Sequence, residues 1–179
     1  DFAFSLCHFK DHSKQTILIV GGSSGSRVIN TAIRGLLPEL LKNYNVIHLC
    51  GKGNLDDTLT ATDGYAQFEY ANKELSDMFA LADLVISRAG ANAICELLAL
   101  RKPNILIPLS AAASRGDQIL NANSFRSQGF SYVLEEEELS NTTLLEAIEH
   151  VFHKKAMENS NSRNSIDTII GLILDASKK

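Results

Sequence analysis

Short apolar runs alternate with amphipathic segments along most of the chain, the pattern of βαβ units laid on a parallel sheet. Thr16–Val20 is a β-branched run that stops abruptly at Gly21-Gly22, predicting a strand buried on both faces. Ile29, Ala32, Ile33, Leu36, Leu37 and Leu40 then recur at helical spacing. Pro38 inside that pattern predicts a kink or a restart of the helix. Further strands are expected at Asn45–Leu49, Ala66–Glu69, Leu84–Ser87, Asn104–Ile107 and Ser131–Leu134. Leu75, Met78, Phe79 and Ala82 mark one helix face; Ala91, Ile94, Cys95 and Leu98 mark the next. Ser114–Phe125 reads as a helix capped by Ser114, with Asp117 at capping-box spacing, and Asn141–Phe152 as another. The run Glu135–Glu138 reads as a solvated turn. The expected fold is α/β: a Rossmann-like parallel sheet of about six strands flanked by helices. Residues 1–15 form a lead-in linker with some aromatic packing, and 16–157 the domain itself. Residues 158–179 are a polar loop and a final helix with Ile166, Ile169, Ile170, Ile173 and Leu174 on one side.

Composition narrows the class. Of 179 residues, 45% are hydrophobic and 21% charged, near the globular average, so disordered and fibrous classes are excluded. The apolar stretches fall short of the ~20 residues that span a bilayer, and the start does not resemble a signal peptide. Cys7, Cys50 and Cys95 are odd in number and lack a C-x-x-C, so neither a disulfide framework nor a zinc cluster is supported and a reducing cytosol is the simplest setting. A net charge of −4 and a pI near 5.7 argue against nucleic acid as a partner. An anionic ligand would have to be held by backbone dipoles more than by lysines.

In an open parallel sheet, ligands bind beyond the carboxyl ends of the strands. After the first strand comes Gly21-Gly22-Ser23-Ser24-Gly25-Ser26, either a merely tight turn or a loop that lets a phosphate approach the backbone. It is not a dinucleotide fingerprint: the glycines are spaced differently and strand two ends without an acid at His48-Leu49-Cys50-Gly51. Nor is it a P-loop, because the one Gly-Lys is followed by Gly53. The junction after strand four is Ser87-Arg88-Ala89-Gly90-Ala91-Asn92-Ala93-Ile94-Cys95-Glu96. Gly90 there permits an unusual backbone, and small residues leave the N–H groups of Ala91, Asn92 and Ala93 uncovered for a diphosphate. Glu96, off the apolar stripe, either decorates a surface helix or accepts from a ribose diol. After strand five, Asp117 and Gln118 offer the acceptor and donor mix of a sugar site, although Asp117 serves equally as a capping residue. Asn121 reads as a structural fastener of the loop. His48 reads as a hydrogen-bonded structural residue, with His8, His12, His150 and His153 on the surface.

Taken in this order and spacing, Gly21-Gly22-Ser-Ser-Gly25, Ser87-Arg-Ala-Gly-Ala to Glu96 and Asp117-Gln118-Ile-Leu-Asn121-Ala122 resemble the donor half of the MurG family of UDP-N-acetylglucosamine transferases. The resemblance runs from about Thr16 to Phe152 and implies the C-terminal half of a GT-B glycosyltransferase. It further implies inverting transfer of N-acetylglucosamine from UDP-GlcNAc, as substrate and without a cofactor or metal, to a lipid-linked muramyl pentapeptide in peptidoglycan synthesis. By analogy Glu96 holds the ribose, and Gly90, Ala91, Asn92 and Ala93 cradle the diphosphate beside Ser23, Ser24, Gly25 and Arg88. Asn72 and Leu75 meet uracil, while Asp117, Gln118 and Asn121 serve the N-acetylglucosamine end. Ala93 stands where many members carry Thr or Ser, and Asp117 where Gln is familiar. The general base, the lipid-linked acceptor and the cytoplasmic membrane surface are expected to belong to an N-terminal domain. The final helix is expected to contact that domain, or its stripe to pack on its own domain, lie partly exposed or pair with a second copy. The residues also fit a donor subunit of another GT-B transferase, or a UDP-sugar-binding module without catalysis.

Overall fold

The computed structural model describes residues 9–22, 24–113 and 115–155. Its strands are β1 (Gln15–Val20), β2 (Tyr44–Leu49), β3 (Tyr65–Phe68), β4 (Leu84–Ser87), β5 (Asn104–Leu106) and β6 (Tyr132–Val133). Its helices are α1 (Arg27–Asn43), α2 (Leu75–Leu81), α3 (Ala91–Leu100), α4 (Asp117–Ser127) and α5 over residues 141–155. The strands form one six-stranded sheet in the order β3-β2-β1-β4-β5-β6, and every pairing is parallel. Ser23, Ser114 and the isoleucine stripe of residues 166–174 lie outside the described residues.

Alternation along β1 sorts the core into two layers, because successive strand side chains face opposite ways. Ile17 and Ile19 pack with Ile29, Ile33, Leu36, Leu37 and Leu40 of α1 and with Leu144, Ala147, Ile148 and Val151 of α5. Leu18 faces the other layer, with Met78 and Phe79 of α2, Ile94 and Leu97 of α3 and Ala122 of α4. Phe9, in the lead-in segment, is buried in that second layer.

Several local expectations are corrected. Helix α1 runs unbroken through Pro38. That residue lies on the exposed side, where the carbonyl deprived of its N–H partner faces water and not the core. The buried stripe of α3 is Ile94 and Leu97, while Cys95 and Leu98 point outward, because a ten-residue helix lying on a sheet buries one narrow i, i+3 line. Helix α4 begins at Asp117, after Gly116 in the cap position, so Asp117 does not sit three residues into a helix as the capping box requires. The acidic run is not wholly solvated: Glu136 forms a largely buried ion pair with Arg88 and Glu135 bonds Arg126.

One buried polar network braces α1 against the sheet. Asn30 Nδ2 donates to the Cys50 carbonyl at 2.9 Å, which turns Asn30 Oδ1 toward His48 Nε2 at 3.0 Å. Nε2 must therefore carry the hydrogen, and Nδ1 accepts from the Tyr65 hydroxyl at 3.0 Å. His48 is fully buried, and burial, with the Arg34 guanidinium adding to it, holds its pKa down at about 3. The structural reading of His48 is the one the geometry supports.

This sets a pH dependence. Between about 3 and the ordinary value of about 6.5, the unfolded chain binds a proton at His48 that the native state refuses. The stabilisation is complete above pH 6.5 and declines as pH falls, by roughly 3 kcal/mol at pH 4. Urea unfolding at pH 4 to 7 is expected to show this slope, and His48→Gln to flatten it.

Candidate functional site

With strand order 3-2-1-4-5-6, the connections leave β1 in opposite directions, and the crevice between the carboxyl ends of β1 and β4 is the switch point where such sheets bind ligands. A cavity of about 920 Å³ opens there. Its walls are the β1–α1 loop, the β4–α3 junction, Leu109 and Ala113 from the β5–α4 connection, Gln118 of α4 and Glu136 after β6. A second cavity of about 710 Å³ lies at the far edge, among Leu97, Leu98, Phe125, Phe130 and the last turns of α3, α4 and α5. Helix C-termini carry the negative end of the dipole, so its basic rim complements the protein's own carbonyls.

Gly90 caps α3 with φ −68° and ψ 147°, ordinary extended backbone, which corrects the expectation of an unusual geometry. What the glycine supplies is openness: a Cβ placed there meets nothing within 4 Å. The first intrahelical bond runs from Ile94 N–H to the Gly90 carbonyl, so the N–H groups of Ala91, Asn92 and Ala93 lie ahead of the ladder at the cavity floor. Helix α3 has no acid in its first turn. Glu96 is exposed and lines the same cavity, about 7.5 Å along the helix axis from Ala91 at 1.5 Å per residue.

The glycine-rich loop has a different internal logic. Gly25 takes φ +74°, and a Cβ on it would lie 2.0 Å from the Cys50 carbonyl oxygen. The loops after β1 and β2 thus touch backbone to backbone at Gly25 and Gly51. Ser26 closes the loop: its Oγ accepts Ile29 N–H at 3.3 Å as the α1 cap and receives Arg88 Nη2 at 2.6 Å.

Arg88 is almost entirely buried. Its Nη1 donates to the carbonyls of Ile107 and Pro108, each at 3.2 Å, and Nη2 pairs with Glu136 as well as Ser26. A guanidinium spent on four protein groups is a brace in the cavity wall, not a free cation, where a direct substrate contact of Arg88 was expected. Gln118 Oε1 accepts Leu109 N–H at 3.0 Å, which leaves its amide NH2 uncommitted by that bond. Asn121 Nδ2 donates to the Ala89 carbonyl at 3.1 Å, fastening α4 to the β4–α3 junction.

The cavity therefore brings together Ser24, Gly25, Arg88, Gly90, Ala91, Asn92, Ala93, Glu96 and Gln118, with Asn121 behind them. Asp117 is adjacent to Gln118 but off the lining. Asn72 and Leu75 follow β3, two strands away from β1, and do not line it. Missed by the sequence reading were Arg27 and Glu136 on the walls, and Asn30 beneath them. Asn30, a polar residue beside Ile29 and Ile33 on an apolar face, carried a signal. Glu136 carried none, being one of four identical neighbours.

A sequence model of the glycosyltransferase family 28 C-terminal domain matches residues 16–174. The chain belongs to this family. Among its relatives is the UDP-N-acetylglucosamine–N-acetylmuramyl-(pentapeptide) pyrophosphoryl-undecaprenol N-acetylglucosamine transferase of Lachnoclostridium phytofermentans. It is 64% identical over 162 residues, 88% of this chain and 46% of that one. The transferase of the same name from Lachnospira eligens is 56% identical over 97% of this chain and 50% of its own length. The crystal structure of Acinetobacter baumannii MurG superposes with a TM-score of 0.66 at 22% identity, over 83% of this chain and 43% of that one, and shows the same fold. The chain spans about half the length of the curated relatives it matches. Among the described residues of this family 28 domain, no helix is long and apolar enough to cross a membrane.

Two of the cavity glycines should behave oppositely on substitution. Gly25→Ala combines a strained φ with a clash against the Cys50 carbonyl and is expected to cost on the order of 2–4 kcal/mol in denaturant unfolding. Gly90→Ala meets open space and should stay within ~0.5 kcal/mol of the unsubstituted domain.

Proposed function

We propose that this chain is the donor-binding half of a UDP-N-acetylglucosamine transferase acting on undecaprenyl-pyrophosphoryl-N-acetylmuramyl-pentapeptide, the activity named for its relatives. One observation carries the reading: a bare helix N-terminus and a solvent-facing carboxylate share one cavity at the switch point. A diphosphate accepts hydrogen bonds from the Ala91–Ala93 N–H groups and gains from the positive end of α3. Glu96, an acceptor-only group, suits the two ribose hydroxyls and lies far enough along the helix to escape the phosphate charge. Gln118 offers its amide NH2 to a hydroxyl of the sugar. Asp117, Asn72 and Leu75, off the cavity of the free domain, are proposed contacts only if the bound sugar nucleotide extends past its rim.

In the proposed transfer, the acceptor hydroxyl oxygen forms a bond to sugar C1 while the C1–O bond to the diphosphate breaks. The electron pair of that bond leaves on UDP, and the hydroxyl proton passes to a base. The described residues supply the donor side: they orient UDP and spread the charge that develops on the leaving diphosphate. The base and the lipid-linked acceptor are assigned to the N-terminal half that the longer relatives possess, working at the cytoplasmic face of the membrane. UDP-GlcNAc enters as substrate, with no cofactor proposed.

Titration calorimetry with UDP tests the assignment. Glu96→Ala is expected to weaken UDP by about 2 kcal/mol, the worth of charge-assisted hydrogen bonds, with an unchanged melting temperature because the residue is exposed. Unaltered affinity would remove Glu96 from the ribose role. Gln118→Ala should reduce UDP-GlcNAc binding more than UDP binding, and equal losses would contradict a sugar contact.

A further inference from the structure

The cavity has a charged residue that the reading above leaves unused. Arg27, the first residue of α1, lines its wall beside Ser26. It is exposed, and its guanidinium has no hydrogen bond or ion pair among the described residues. Its position runs against helix electrostatics: a helix N-terminus carries about half a positive charge, and cations are favoured at the other end. Helices α2 and α4 follow the rule with Asp77 and Asp117 in their first turns, whereas α1 and α3, which meet at the cavity, have no acid there. A guanidinium added to that uncompensated end is unfavourable in the free protein and becomes favourable when an anion arrives.

The charge count around the cavity selects Arg27 over Arg88. Arg88 and Glu136 neutralise each other in a largely buried pair, and turning Arg88 toward a ligand would strand the Glu136 carboxylate. Glu96 is engaged at the ribose in the proposed complex. Of the cavity's cations, Arg27 alone has no protein partner among the described residues.

We propose that Arg27 is a donor-binding residue whose guanidinium folds onto the diphosphate of the bound nucleotide, opposite the N-terminus of α3. The inference rests on the reading of this cavity as a UDP-sugar site. In the transfer step the C1–O electron pair collects on the departing phosphate oxygen, and the guanidinium opposes that growing charge with charge-assisted hydrogen bonds. Arg27 thus adds one side-chain cation to the backbone donors of Ala91–Ala93 at the diphosphate.

The test compares UDP and uridine in calorimetric titrations of the 179-residue chain and its Arg27→Ala and Arg27→Lys variants. Arg27→Ala is expected to weaken UDP about tenfold and to leave uridine unchanged; Arg27→Lys should recover part of the loss. The melting temperature of the free Arg27→Ala variant should be equal or higher, since a cation has left a positive helix end. Equal UDP affinity in the unsubstituted chain and Arg27→Ala would overturn the role of Arg27 while leaving the donor site standing. A parallel loss of UDP and uridine with a lowered melting temperature would mark a structural role and overturn it too. No UDP binding by the unsubstituted chain would overturn both the site reading and this inference.

Discussion

All six strands run parallel, so every loop that leaves a strand toward a helix emerges at the same edge of the sheet. Parallel geometry gathers these loops without arranging them, and the arrangement depends on one buried guanidinium. Arg88 reaches from the end of β4 to Ser26 after β1, to the last carbonyls around β5 and to Glu136 after β6. An arginine has enough donors in a rigid fork to serve several acceptors at once, and burial makes each of those bonds costly to lose. With the loops held in this way, the small residues at the start of α3 stay at the floor of an open cavity.

Such a frame explains how an acidic chain can hold an anion. A net charge of −4 repels phosphate at long range, but a helix N-terminus acts at contact, where peptide dipoles point at the ligand and are already oriented. The chain leaves that end of α3 uncovered by placing Gly90, Ala91, Asn92 and Ala93 there. In the proposed complex its carboxylates are kept away from the phosphate in two ways. Glu136 is neutralised by Arg88, and Glu96 is displaced by more than a helical turn, where acceptor chemistry suits hydroxyl groups.

Much of this was legible in the residues, for physical reasons that differ by element. The strands announced themselves because continuous β-branched runs such as Thr16–Val20 suit strands buried on both faces. The β4–α3 junction was legible because bare helix starts need small residues in sequence. The illegible parts depend on tertiary partners. Nothing local separates Glu136 from Glu137 until Arg88 meets one of them. Gly25 fitted either a tight turn or a loop open to phosphate, and what dictates its conformation is the backbone around Cys50 and Gly51, contributed by a different strand. Cys95 and Leu98 fitted a helical stripe but face outward, because the sheet covers one line of α3 and not a broad face.

A crystal structure of the chain with UDP tests the central claim most directly. The account predicts the diphosphate within hydrogen-bonding distance of the N–H groups of Ala91, Asn92 and Ala93, and both ribose hydroxyls on the carboxylate of Glu96. A nucleotide lodged outside the β1–β4 crevice, or a ribose with Glu96 turned away into solvent, would contradict it.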